Sequence, residues 1–139
     1  MTRIIEANYQ QHQQQILAIR EQVFIVEQRV PPELEVDEHD PRAHHVLLFI
    51  EQTPIATGRL TIAGHIGRIA VLKPHRHQGY GRQIILKLEQ LAVTAGLKKV
   101  ELGAQIQALN FYERLGYHAV GEVFMDAGIE HRKMTKLLV

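Results

Sequence analysis

The chain has 139 residues, is 45% hydrophobic, and sets Lys plus Arg at 16 against Asp plus Glu at 15 for a net charge of +1. That fits one globular domain with a real core, residues 1–139, and leaves no general charge with which to hold nucleic acid or an anionic membrane. The absence of Cys excludes a disulfide framework, a thiolate zinc site and a cysteine nucleophile. "MTRIIEANYQQHQQQ" lacks the apolar centre of a secretory signal, and no window approaches the roughly 18 apolar residues of a membrane span, so a cytoplasmic protein is expected.

In chain order, "TRIIEA" (2–7) reads as a strand, and residues 11–28 as a helix whose Ile16, Ile19, Val23 and Val26 recur three to four residues apart. Residues 29–43, with three prolines and a group of acids, break that period and read as a loop with one helical turn after Pro32. Residues 44–51, 54–63 and 65–72 read as three strands of an antiparallel meander, the first two joined at Gln52-Thr53. From Gly79 the period changes: Ile84, Ile85, Leu88, Leu91, Ala92 and Ala95 form one helical stripe, stopped by Gly96. Residues 98–102 alternate like a strand, 105–117 read as a helix, and 117–126 with 131–139 read as a closing strand pair around Ala127-Gly128. The order predicts an α/β (α+β) fold: a mixed, mostly antiparallel sheet of six to seven strands flanked by helices. The strand after Gly96 follows a crossover helix and is expected parallel to its predecessor.

The junction "RIAVLKPHRHQGYGRQ" carries the chemistry. Glycines between a strand and a helix let backbone N–H groups turn toward an anion, and the positive end of the helix dipole then favours it. The plainer alternative is a tight turn in which Gly only relieves steric strain. The G-x-G spacing lacks the third Gly of a dinucleotide fingerprint and the Lys of a Walker motif.

Arg76-His77-Gln78-Gly79-Tyr80-Gly81 resembles the R/Q-x-x-G-x-G/A signature of the GNAT acetyltransferase superfamily. "AQIQALNFYERLGYHAVGE" resembles its second hallmark through Ala108, Tyr112, Gly116 and Tyr117. "REQVFIVEQRVPPELEVDEHDPRAHHV" and "DAGIEHRKM" resemble the ElaA/YjcF-like branch, so the likeness covers nearly the whole chain. It implies acetyl-CoA as co-substrate, with Ile69, Ala70 and Val71 pairing its amide-rich arm at a gap between diverging strands. The amides from His77 to Arg82 would hold the pyrophosphate and Arg76, His77 and Arg82 would supply charge, with Asn110 a further cofactor contact. It also implies Tyr112 as general acid toward the departing thiolate; a packed aromatic is the plainer reading. Where many relatives have Asn, this chain has Gln105.

The base is placed at His65, four residues before Ile69, where many relatives carry Glu; related branch members often have Glu two residues nearer, at Gly67 here. Imidazole titrates near neutral pH and can take an amine proton directly or through water, although an exposed turn histidine explains it equally simply. The branch resemblance brings Glu27 and His131 to the acceptor pocket. The nine histidines show no metal-ligand spacing, so no metal is expected. Glu33, Glu35, Asp37, Glu38 and Asp40 read either as a solvated loop or as acids over the pocket that favour a cationic amine. The expected function is acetyl transfer from acetyl-CoA to a primary amine, of a small molecule or of a peptide N-terminus or lysine, by a monomer or homodimer. The alternative is a non-catalytic acyl-CoA-binding regulatory module.

Overall fold

The computed structural model describes residues 1–138. One seven-stranded sheet is built from β1 (Thr2–Ala7), β2 (His44–Ile50), β3 (Thr53–Leu60), β4 (His65–Val71), β5 (Lys99–Gln105), β6 (His118–Asp126) and β7 (Ile129–Leu137), in the order β1-β2-β3-β4-β5-β7-β6. Every neighbouring pair is antiparallel except β4 with β5, which is parallel because α3 (Tyr80–Thr94) crosses between them. The last strand inserts between β5 and β6, so β6 becomes an edge. The sequence-predicted final strand reached Val139, which lies outside the described residues.

Strand alternation sorts the core into two layers. Val46, Leu48, Ile66, Val100, Leu102, Ala104 and Met134 meet Ile84, Ile85, Leu88 and Ala92 of α3 on one face. On the other, Leu47, Phe49 and Ala70 meet Ile16, Ile19 and Val23. The helix carrying those last three residues begins at α1 (Tyr9–Arg20), capped by Asn8 Oδ1, which accepts from the Gln11 N–H at 3.1 Å. It continues as a π-helical segment, Glu21–Glu27. The wider π turn advances the face by more than a residue, so Val26 leaves the apolar stripe expected for it and is 57% exposed.

The other departures are local. The segment 29–43 holds two short turns, α2 (Pro32–Glu35), started by Pro at its first position, and a 3₁₀ turn, Asp40–Arg42. The β2–β3 turn lies at Glu51-Gln52, with Glu51 at φ 54°, and Thr53 already belongs to β3. The predicted helix 105–117 is a 3₁₀ turn, Ile106–Ala108, followed by α4 (Leu109–Arg114). β5 consequently runs to Gln105, three residues past its expected end.

Candidate active site

β4 pairs with β5 only through His65 with Glu101 and Ile66 with Leu102; beyond them the strands separate. Two features of β4 create the gap. Between the pairs Thr57–Ala70 and Arg59–Gly67, β4 holds one more residue than β3, and Arg68 takes φ 53°. Such a bulge bends its strand, and a left-handed non-Gly residue costs about 1–3 kcal/mol unless its surroundings hold it. Arg68 is held: its Nε donates to Glu35 O at 3.0 Å and its Nη2 to Asp37 Oδ2 at 3.2 Å. The Leu72 N–H donates to Ile55 O on the β3 side at 3.0 Å, so alternation turns the Val71 N–H toward the gap. Ile69 and Val71 pack toward α3, and Ala70 toward α1.

The Gly-containing turn sits across the open end of this gap. Gly79 caps α3 at φ 86°, and the first ladder bond after it runs from the Gln83 N–H to Gly79 O at 3.2 Å, so the N–H groups of Tyr80, Gly81 and Arg82 precede the helix ladder. A Cβ on Gly81 would meet Phe111 Cζ at 3.8 Å and Val71 Cγ2 at 3.9 Å, which puts its backbone beside the last gap-facing residue of β4. His77, at φ 64°, Gln78 and Arg82 are exposed, while Tyr80 packs against the core.

Arg76 and Glu27 lie together, away from the cavity wall. The Arg76 Nε donates to Val71 O at 2.8 Å, and its two terminal nitrogens donate to Glu27 at 2.8 and 2.7 Å. The guanidinium holds the Glu27 carboxyl below its usual range. Asn110 is exposed on α4 and also lies off the wall.

The gap opens into a cavity of about 640 Å³ that brings together His65, Ile69, Tyr112 and His131. Tyr112 stands edge-on to Phe111 and Tyr117, and burial pushes its phenol up to about 12. No protein group among the described residues hydrogen-bonds its hydroxyl. The His131 Nδ1 lies 2.7 Å from Ile129 O; a carbonyl only accepts, so Nδ1 carries the hydrogen and a neutral ring presents Nε2 as an acceptor. The ring stacks on Phe124, and Gly103 leaves room for both, since a Cβ there would meet Phe124 Cζ at 3.2 Å. His65 lines the cavity but stays exposed at the start of β4; partial desolvation lowers its imidazole below its ordinary value, Glu101 opposes this, and Arg59, Lys133 and Arg68 add to it.

The acidic segment divides: Glu33 and Glu38 are solvated, as one expectation had it, while Glu35, Asp37 and Asp40 are engaged by arginines. Arg20, 1% exposed, donates from Nε to Glu35 Oε1 at 2.6 Å and from Nη1 to Asp40 Oδ1 at 2.8 Å. The Arg59 Nη1 donates to Asp37 Oδ1 at 2.8 Å and to Asp40 Oδ1 at 2.9 Å. Glu35, Asp37 and Asp40 are thus neither solvated nor free to attract a cationic amine; Glu33 and Glu38 remain exposed. Arg59, whose sequence context resembles any strand, was not among the predicted site residues. Among the described residues no group of three or more His, Cys, Asp or Glu is placed to hold a metal.

A mixed sheet opened between two parallel strands, with a Gly-containing helix start across the opening, is the frame of an acyltransferase. Residues 6–138 match the acetyltransferase (GNAT) domain, and the chain belongs to that family. YjcF of Bacillus subtilis (strain 168), described as an uncharacterized N-acetyltransferase, is 40% identical over 122 residues, covering 85% of this chain and 87% of YjcF. The crystal structure of Escherichia coli ElaA superposes with a TM-score of 0.86 at 28% identity, covering 98% of this chain and 99% of ElaA, which places the chain in the ElaA/YjcF-like branch. A GNAT family acetyltransferase from Elizabethkingia anophelis, solved with acetyl-CoA bound, shares the fold with a TM-score of 0.73 at 18% identity, over 98% of this chain and 97% of that one.

Proposed function

We propose that the protein transfers an acetyl group from acetyl-CoA to the primary amine of a small acceptor by direct attack. The observation that carries this reading is the gap between β4 and β5, with the unpaired Val71 N–H on its edge and the first-turn amides of α3 at its end. The pantetheine arm is a chain of amides, and backbone partners at a strand edge spare each of them a desolvation cost of roughly 1–3 kcal/mol. The amides from Gly79 to Arg82 receive the pyrophosphate, with the Arg82 guanidinium as an exposed cation and the exposed His77 ring as a further polar partner beside it. Arg76 is engaged by Glu27 and Val71, so its contribution is to hold the turn against β4.

The amine nitrogen attacks the thioester carbonyl, whose oxygen is polarised by the Val71 N–H; the carbon–nitrogen bond forms and the carbon–sulfur bond breaks. A phenol at about 12 is a weaker acid than an ordinary thiol at roughly 8.5. Tyr112 therefore stabilises the leaving thiolate mainly by donating a hydrogen bond. His65, whose imidazole is lowered below its ordinary value, takes the amine proton directly or through water, and the His131 Nε2 receives an N–H of the acceptor. Most of the acceleration comes from holding the two reactants together. Calorimetry tests the donor half: acetyl-CoA should bind the wild type and bind Gly81→Val at least about ten-fold more weakly, and equal affinities in a folded variant would remove the turn from the site.

A further inference from the structure

The acceptor side of the cavity is organised by one row of residues across the sheet. Arg59 of β3 pairs with Gly67 of β4, and Gly103 of β5 pairs with Lys133 of β7. Gly67 and Gly103 each follow the last parallel pair, Ile66 with Leu102. Alternation turns this row away from the α3 core, so two positions without side chains lie between two cations. A Cβ at Gly67 would meet nothing within 4 Å.

Arg59 is 5% exposed and lines the cavity, yet its hydrogen bonds are incomplete. Nη1 alone serves Asp37 and Asp40; Nε is buried without a partner, and Nη2 makes no hydrogen bond among the described residues. Nε–H and Nη2–H form the side-on edge of the guanidinium, two parallel donors spaced for the two oxygens of a carboxylate. The charged groups on the wall are Arg59, Arg68 and Lys133 against Glu35 and Asp126; Glu35 is engaged by Arg20, Arg68 by Asp37 and Lys133 by Glu101, which leaves the Nε–Nη2 edge of Arg59 as the donor pair without a partner among the described residues. Asp37 and Asp40 behind Nη1 offset part of the Arg59 charge, which suits a monoanion better than a phosphate dianion.

We propose that Arg59 recognises a carboxylate on the acceptor, so that the acceptor is a carboxylate-bearing primary amine, amino-acid-like in class. This rests on the acyl-transfer reading for its consequence, though not for its test. A zwitterion docks with its carboxylate on the unpartnered edge of Arg59 and its amine toward His65 and His131. The cations Arg59, Arg68 and Lys133 favour loss of the ammonium proton, which the attack requires.

The test titrates the protein, with and without CoA, against pairs differing only by the carboxylate: phenylalanine and phenethylamine, tryptophan and tryptamine, lysine and cadaverine. At least one carboxylate-bearing member should bind about ten-fold or more tightly than its partner. Gly67→Glu, whose side chain enters open space beside Arg59, should abolish that advantage while the melting curve stays cooperative. Arg59→Lys, which keeps the charge and loses the planar edge, should reduce it. The proposal is overturned if the decarboxylated members bind as well or better throughout, if no carboxylate-bearing member binds, or if the advantage survives both substitutions. Carboxylate selectivity without acetyl transfer would keep Arg59's role and remove the acyl-transfer reading, whereas transfer to both members alike would do the reverse.

Discussion

Glu27 and Arg76 form a two-pronged ion pair, Oε2 with Nη1 at 2.8 Å and Oε1 with Nη2 at 2.7 Å, joining the end of the π-helical segment to the turn before α3. The third nitrogen of Arg76 holds Val71 O at 2.8 Å. Glu27 is therefore tied to the turn before α3 and does not line the cavity. Both side chains are partly exposed, so the pair is worth about 0.2–1 kcal/mol. Glu27→Ala should weaken acetyl-CoA binding by roughly two- to five-fold and leave the acceptor KM nearly unchanged. A rise confined to the acceptor KM would return Glu27 to the pocket.

Gly81 separates ligand binding from folding. A Cβ there would make only ordinary van der Waals contacts with Phe111 and Val71, and φ is not left-handed, so Gly81→Ala should fold and gain roughly 0.5–1 kcal/mol of helix stability. The same substitution should weaken CoA binding. Thermal melts and calorimetry on one preparation check both; a variant with tighter CoA binding would contradict the backbone cradle.

The two cavity histidines are distinguished by pH. With His65 as base, kcat/KM should rise with pH through an apparent pKa below the usual histidine value of about 6.5, because the folded value is lowered. His65→Ala should remove that limb, and His131→Ala should chiefly raise the acceptor KM. Loss of the limb in His131→Ala alone would move the base to β7.

His45 sets a pH limit on stability. Its Nε2 lies 2.8 Å from Asp40 O and must donate, leaving a buried Nδ1 without a partner, and burial lowers its pKa. The unfolded chain then takes up the proton first: the stability is fully present above about pH 6.5 and is lost as pH falls toward the lower folded value, with His65 contributing in the same direction. Asp37 and Asp40, lowered in the fold despite burial through their bonds to Arg59 and Arg20, add a second loss below about pH 3.9. Urea midpoints between pH 7.5 and 5 should fall for the wild type and fall less for His45→Gln. Equal slopes would contradict this.

Elements with a local signal were legible from the sequence: the stripe through Ile84, Leu88 and Ala92, the stop at Gly96, and the strand alternation around Ile66 and Leu102. Val26 departed because a π turn changes the period without any marking residue. The bulge at Arg68 was invisible for the converse reason, since a positive φ at a non-glycine is imposed by distant carbonyls of residues 34 and 35. Glu89 lies beside that apolar stripe with no local signal for its role: its carboxylate accepts from the Tyr117 hydroxyl at 2.7 Å and from Lys136 Nζ at 2.9 Å. The arginine–carboxylate network joins residues 15 to 22 apart, beyond any local pattern. Tyr112, His65 and His131 were legible as candidates only through resemblance; their meeting at one cavity is a product of the sheet order.

The most direct test of the account is release of free CoA thiol from acetyl-CoA as a function of added amine, for wild type and Tyr112→Phe side by side. Release should depend on the acceptor and fall by roughly 10²–10³-fold in kcat for Tyr112→Phe, the span for losing one hydrogen-bond donor to developing charge, with acetyl-CoA affinity little changed. Release indifferent to every amine, or undiminished in Tyr112→Phe, would contradict it.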